Sequence, residues 1–225
     1  MMHLSKYLKY LISALFVSME NIMDILTMKT KEKLGCNLCD RCCEYRGDIK
    51  LTPVNVCRIS KYLKLTIKEF LDRYTEKLEN GVEVVIKATG DRKVCVFYND
   101  RTKKCEINEV KPMQCIMFPL VPENLKRDYF YNSGECKCSE LKEIKVYDWL
   151  NSNNKGYNKN KKASIEWIEF IEWVDLKREC LLKEDLDNIY KIMFEKYNLR
   201  NFNYLAQMRR NMKEVRKIIL ERLYK

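Results

Sequence analysis

The run Cys36-Asn37-Leu38-Cys39-Asp40-Arg41-Cys42-Cys43 places four thiols within eight residues, at C-x2-C-x2-C-C spacing. Two-residue gaps let successive sulfurs turn toward one point, and a soft metal ion or an iron–sulfur cluster requires that convergence. Packing alone rarely calls for such a run. Cysteine does behave as a small hydrophobe, but one per turn of chain would serve. Further cysteines follow at Cys57, Cys95, Cys105, Cys115, Cys136, Cys138 and Cys180, eleven in all. An odd number cannot pair completely as disulfides. With no convincing secretory signal ahead of them, clustered cysteines point to metal in a reducing compartment, read here as the cytoplasm.

Histidine narrows the chemistry further. The only one is His3, so His-based zinc catalysis, a Ser-His-Asp triad and a Cys-His dyad are set aside. A metal site here must use thiolates, supplemented at most by a carboxylate or an exogenous ligand. Cys42 and Cys43 are adjacent, and neighbouring side chains point apart. One of the pair can join the other ligands while its neighbour faces elsewhere, or the two can feed different sites. The first three cysteines share the gaps of bacterial cluster ferredoxins, in which a remote cysteine completes the set. Structural zinc more often uses two separated C-x2-C knuckles. The spacing therefore favours an iron–sulfur cluster, of the 4Fe-4S kind, over zinc. The candidate ligands are Cys36, Cys39, Cys42, Cys43, Cys95, Cys105, Cys115 and Cys136, enough for one four-thiolate site or two. Cys57 and Cys180 read as core residues.

The elements that must position these thiols are short. Leu11 to Val17 is an apolar patch flanked by Lys6 and Lys9. It is shorter than the roughly 20 apolar residues of a spanning helix, and no A-x-A-like cleavage site follows. Residues 1–34 are read as an N-terminal helical segment, with Met19, Met23 and Met28 offering later starts. After the cysteine run, Asp48 to Leu51 reads as a strand. Thr52-Pro53 opens a helix through Val56 and Ile59, and Thr66-x-x-Glu69 is a capping box for a second. Val82–Ile86 is a strand. Val94–Tyr98 and Cys105–Ile107 form a hairpin that would set Cys95 beside Cys105. Asn108 caps a helix from Glu109 to Met117 that carries Cys115. Strands near Leu120 and Tyr129–Tyr131 follow, then a helix from Ser139 to Leu150.

Asn151 to Lys162 is Asn/Lys-rich and reads as a linker. Beyond it, Ile165, Ile168, Ile171 and Val174 recur at helical spacing, broadened by Trp167, Phe170 and Trp173. Helices are expected near 184–197 and 203–224. The predicted fold class is α+β: a small cysteine-rich domain (35–150) with short strands and helices, followed by an α-helical C-terminal extension (163–225). In the 225-residue chain, 43 basic side chains outnumber 32 acidic ones for a formal charge of +11, and 46% of residues are hydrophobic. That composition supports a folded core. The charge is read mainly as a Lys- and Glu-rich surface, although the basic last helix could track phosphates.

Four elements together resemble the CxxCxxCC (YkgJ-like) cysteine-cluster family, a zinc- or iron-chelating domain. They are the Cys36–Cys43 run, the Leu51-Thr52-Pro53 helix start, the Cys95-Val96-Phe97-Tyr98-Asn99 and Cys105-Glu106-Ile107 pair, and Glu109-Val110-Lys111-Pro112-Met113-Gln114-Cys115-Ile116-Met117-Phe118-Pro119. The last of these resembles the family's E-x-R-P-x-x-C-R-x-F-P. Lys111 and Ile116 stand where the family usually has Arg. Lys keeps the charge without the planar fork and Ile keeps neither, so a ligand-contacting role is not carried over to those two positions. The resemblance implies metal chelation. Because a flagellin lysine N-methylase has the same cysteine pattern, it also admits a protein-modifying enzyme. No glycine-rich nucleotide loop accompanies that alternative. A zinc-dependent nucleic-acid module is the other. A protein or redox partner fits the first reading. Loss of metal is expected to unfold the central region and leave the C-terminal helices standing.

Overall fold

The structure, a computed structural model, describes residues 25–35, 43, 49–91, 93–133, 141–152 and 157–224. The helix expected before residue 25 lies outside them. What is described is α+β, with short strands and several helices.

Strand β1 (Lys31–Leu34) stands where the sequence suggested the end of a helix. Strand β2 (Lys50–Leu51) follows the cysteine run and leads into helix α1 (Pro53–Tyr62). Thr52 Oγ1 accepts from the Asn55 amide at 3.1 Å, and Asn55 Oδ1 accepts from the Thr52 amide at 3.1 Å. Thus two of the helix's unsatisfied donors are closed by its own first turn. Helix α2 (Ile67–Tyr74) opens the same way: Thr66 Oγ1 accepts from Glu69 N at 3.2 Å and Glu69 Oε2 from Thr66 N at 2.9 Å. Strands β3 (Thr75–Lys77) and β4 (Val84–Ile86) come next, and β2, β4 and β3 form an antiparallel sheet in that order. All three residues of β4 are buried, as suits the central strand. The turn between β3 and β4 needs Gly81, whose φ of +74° is costly for other residues.

The expected Val94–Tyr98 strand is divided. Strand β5 (Ala88–Thr89) pairs with β6 (Val94–Cys95), whereas β7 (Tyr98–Asn99) pairs with β8 (Lys104–Cys105). Phe97 accounts for the break. It is 1% exposed and stacks on Tyr74 at 4.9 Å and Phe70 at 6.3 Å between ring centroids. To bury that ring, the backbone turns at Val96 and Phe97, and the two halves find different partners. Cys105 therefore lies opposite Tyr98, and Cys95 opposite Ala88.

The helix expected from Glu109 to Met117 is also interrupted. Asn108–Val110 forms a 3-10 turn, without the side-chain cap expected of Asn108, and helix α3 spans only Met113–Met117. Pro112 pushes the preceding residue out of the helical region, and Lys111 sits at φ −55°, ψ 150°. Strands β9 (Leu120–Asn124) and β10 (Tyr129–Asn132) make the next hairpin. Strand β11 (Lys142–Lys145) then pairs antiparallel with β1, Leu34 opposite Lys142 and Lys31 opposite Lys145. Only after it does helix α4 (Val146–Ser152) begin. Both β1 and β11 were read as helical because each is stabilised chiefly by the other.

Helix α5 (Tyr157–Asp175) takes up half of the segment read as a linker. Tertiary contacts hold that polar turn in helical form. Tyr157 Oη donates to Asp128 Oδ1 at 2.9 Å, and Lys161 Nζ donates to the same oxygen at 2.7 Å. The Asn160 side-chain oxygen accepts from Asn55 Nδ2 at 3.2 Å and from Arg58. Its buried stripe is Ala163, Trp167, Phe170, Ile171 and Val174. Ile171 and Val174 of the expected series are on this inner face with Trp167 and Phe170, whereas Ile168 is 49% exposed. Helix α6 (Lys183–Tyr190) runs on into a π-type turn at Lys191–Glu195, and helix α7 (Tyr204–Leu223) closes the described chain.

Two apolar clusters organise these elements. The larger joins Val56, Cys57 and Ile59 of α1, Phe70 of α2, Val84 and Ile86 of β4, Phe97 and Ile107 to Trp167, Phe170, Phe194, Met208 and Val215. The smaller contains Leu34, Met113, Ile116, Met117, Phe130, Val146, Trp149 and Tyr157. Residues from beyond position 163 thus share one core with the strands and helices around the central cysteines. No helix among the described residues is long and apolar enough to cross a membrane.

Candidate metal centre

The most direct contact between the cysteine run and the later cysteines is a backbone one. The amide of Cys95, at the end of β6, donates to the carbonyl of Cys43 at 2.8 Å. The last residue of the C-x2-C-x2-C-C run is therefore fixed against Cys95, the first of the later candidate ligands. Cys43, Cys95, Cys105 and Cys115 are all half-buried. Cys95, Cys105 and Cys115 pack against the same apolar cluster, the one containing Phe97 and Ile107. Their partial burial makes them suited to act as soft ligands and poorly hydrated.

Each of the three is held by a short, constrained piece of backbone. Cys95 is set by the pairing of β5 with β6 and by the contact to Cys43. Cys105 closes the β7–β8 pair, and the next amide, that of Glu106, donates to Phe97 O at 2.8 Å. Cys115 lies in α3, whose first turn forms when the amides of Cys115 and Ile116 donate to Pro112 O at 3.1 and 3.0 Å. The neighbours of Cys115 in α3 (Met113, Ile116 and Met117) enter the smaller cluster while Cys115 faces the larger one. This explains the Ile at 116: the position faces a core, at 1% exposure, where a guanidinium would be buried.

The ends of the described chain on either side of the other cysteines lie together. Leu34, two residues before Cys36, is opposite Lys142, four residues after Cys138. Ser133, which precedes the segment holding Cys136 and Cys138, donates its amide to Pro119 O at 3.0 Å, just beyond α3. Asn132 Nδ2 donates to Glu32 Oε1 of β1 at 3.3 Å. Cys36, Cys39, Cys42, Cys136 and Cys138 themselves lie outside the described residues. Among the described residues, no group of three or more His, Cys, Asp or Glu stands close enough to hold a metal ion.

Two cysteines separate from this region. Cys57 is fully buried in α1, and burial pushes its thiol far above the usual range, which keeps it protonated. It behaves as the small core residue that the sequence suggested. Cys180 does not: it is exposed in a 3-10 turn at Arg178–Cys180, and its neighbour Leu182 is 50% exposed. Arg178 holds that turn by donating from Nη1 to Asn80 O at 2.7 Å. Gln114, beside Cys115, carried no signal in the sequence. Its buried Oε1, an acceptor, has no hydrogen-bond partner among the described residues.

A family model described as "Putative zinc- or iron-chelating domain" matches residues 35–153. The chain is similar to Uncharacterized protein MJ0661 of Methanocaldococcus jannaschii, 33% identical over 161 residues, which is 67% of this chain and 81% of that protein. No solved structure matches. The span matched by the family model is more than half of the chain, and the chain belongs to the CxxCxxCC family of zinc- or iron-chelating domains.

Proposed function

We propose that this protein holds an iron–sulfur cluster through an all-cysteine site, in a structural or electron-transferring role. The observation that carries the reading is the 2.8 Å bond from the Cys95 amide to the Cys43 carbonyl. It ties the cysteine run to Cys95, which with Cys105 and Cys115 packs against the larger apolar cluster. The proposed ligands are drawn from Cys36, Cys39, Cys42 and Cys43 together with Cys95, Cys105, Cys115 and Cys136. The two-residue gaps of the run support a cluster over a single zinc ion. The half-buried placement of the later thiols supports it too, since partial exclusion of water is one of the levers that set a cluster's potential. The protein's part is to bring the thiolates together and to shield one side with Phe97 and Ile107. The cluster, when bound, would supply one-electron chemistry or a rigid crosslink.

Anaerobic purification tests this. Brown protein with iron and acid-labile sulfide in equal amounts is the expected result. Colourless protein with stoichiometric zinc and no sulfide overturns the cluster while keeping thiolate chelation. Protein that binds neither metal overturns both.

A further inference from the structure

The outward face of α7 carries a surplus of positive charge. Its inner stripe is Tyr204, Met208, Met212, Val215 and Ile219, all buried. Several of its ions are satisfied within the protein. Arg209 donates from Nε and Nη2 to Glu166 at 2.7 and 2.5 Å, Glu214 accepts from Lys196 at 2.8 Å, and Arg222 stands 3.7 Å from Asp185. Beyond these, Lys213, Arg216, Lys217, Leu220, Glu221 and Tyr224 line an open groove of about 500 Å³. They recur at i, i+3, i+4, i+7, i+8 and i+11, so they form one stripe about 16 Å long. Glu221 is the only acid of the six, and it lies 3.8 Å from Lys217.

The groove is more than a row of charges. The guanidinium of Arg216 lies over the Trp173 ring at 5.5 Å from its centroid, which holds it in place on an aromatic base. Leu220 is 41% exposed and Tyr224 87% exposed, so an apolar floor and an unstacked ring stand at one end of the cationic stripe. Cations that neutralise phosphates, beside a ring on which a base can stack, are the combination that binds single-stranded nucleic acid without sequence preference. An acidic peptide would use the charges and leave Tyr224 without a role. We infer that the Lys213–Tyr224 face of α7 is a docking surface for single-stranded nucleic acid. This does not depend on which metal the cysteines hold.

Fluorescence anisotropy with a labelled oligouridylate, using the full metal-loaded chain, tests the inference. Affinity is expected to fall steeply with salt, by about 0.7 log units per log unit of salt for each phosphate neutralised. Lys213→Glu with Lys217→Glu should weaken binding at least about tenfold at low salt and flatten the salt dependence. Tyr224→Ala should weaken binding about five- to tenfold at every salt concentration, with the slope kept, because stacking does not release counterions. All three positions are exposed, so circular dichroism and metal content should match the parent protein. Unchanged affinity in the charge-reversal variant overturns the assignment. So does displacement of the RNA by polyglutamate at equal charge concentration, which would assign the face to acidic proteins instead.

Discussion

Cys57 and Cys115 illustrate how burial divides one residue type between two chemistries. The Cys57 thiol is enclosed in α1, and its raised pKa makes it a poor ligand. Cys115, like Cys95 and Cys105, is half-buried at the edge of the larger cluster. Replacing Cys57 by Ala should lower stability by about 1–2 kcal/mol through the small void left behind and leave the metal content unchanged, as urea unfolding and elemental analysis would show. Cys95→Ala or Cys115→Ala should reduce bound metal instead, whatever happens to stability. Cys180→Ser should do neither, because that residue is exposed. A second titration is visible at Glu166. Its carboxyl is held below the ordinary 4.5, first by hydrogen bonds from Arg209. A depressed acid stabilises the fold at neutral pH and loses that contribution as pH falls below about 4.5. Because the pair is at the surface, its worth is only about 0.2–1 kcal/mol. Arg209→Ala should remove that increment at pH 7 and have a progressively smaller effect as pH is lowered below about 4.5, measurable by parallel urea titrations.

At the scale of elements, caps were readable and partners were not. Thr52 with Asn55, and Thr66 with Glu69, announce their helices locally, because a cap is a contact between residues three apart. Thr52→Ala should therefore destabilise the protein by about 1 kcal/mol. The expected shift in urea midpoint should come without a change in slope. Pro112 was readable as a feature of the motif, yet its consequence was missed: it divides a 3-10 turn from α3 and so orients Cys115 independently of Asn108–Val110. Strands β1 and β11 escaped because neither has a pattern of its own. Each finds its hydrogen bonds in the other, with the whole cysteine region between them in sequence. Tyr157 to Lys161 escaped for the same reason, since Asp128, Asn55 and Arg58 supply the contacts that keep them helical.

For the whole molecule, the shared core alters what metal removal should do. The sequence suggested that the C-terminal helices would survive it. Trp167, Phe170, Met208 and Val215 instead pack in the same cluster as Phe97 and Ile107, on which the thiols lie. Withdrawing a metal whose binding contributes of order 10 kcal/mol to folding from a protein stable by about 5–15 kcal/mol should disturb both together. Chelation under reducing conditions should lower the melting temperature in one transition, with helical circular dichroism and tryptophan fluorescence falling in step. Retained helix with only local fluorescence change at Trp149, which belongs to the smaller cluster, would favour two independently stable parts.

Eleven cysteines against one histidine, and the two-residue gaps of the Cys36–Cys43 run, make thiolate the expected ligand by themselves, because ligand type and local spacing are properties of adjacent residues. The helix starts at Thr52 and Thr66 are settled in the same local way. Only the tertiary structure decided that the Cys95 amide bonds the Cys43 carbonyl, that Cys105 pairs with Tyr98 in its ladder, that Cys180 is exposed while Cys57 is enclosed, and that the polar turn at Tyr157–Lys161 is helical. Those outcomes depend on which distant groups complete a ladder, fill a core or accept a buried hydrogen bond. Such partners are fixed by the packing of Phe97, Trp167 and their neighbours, not by residues nearby in the chain.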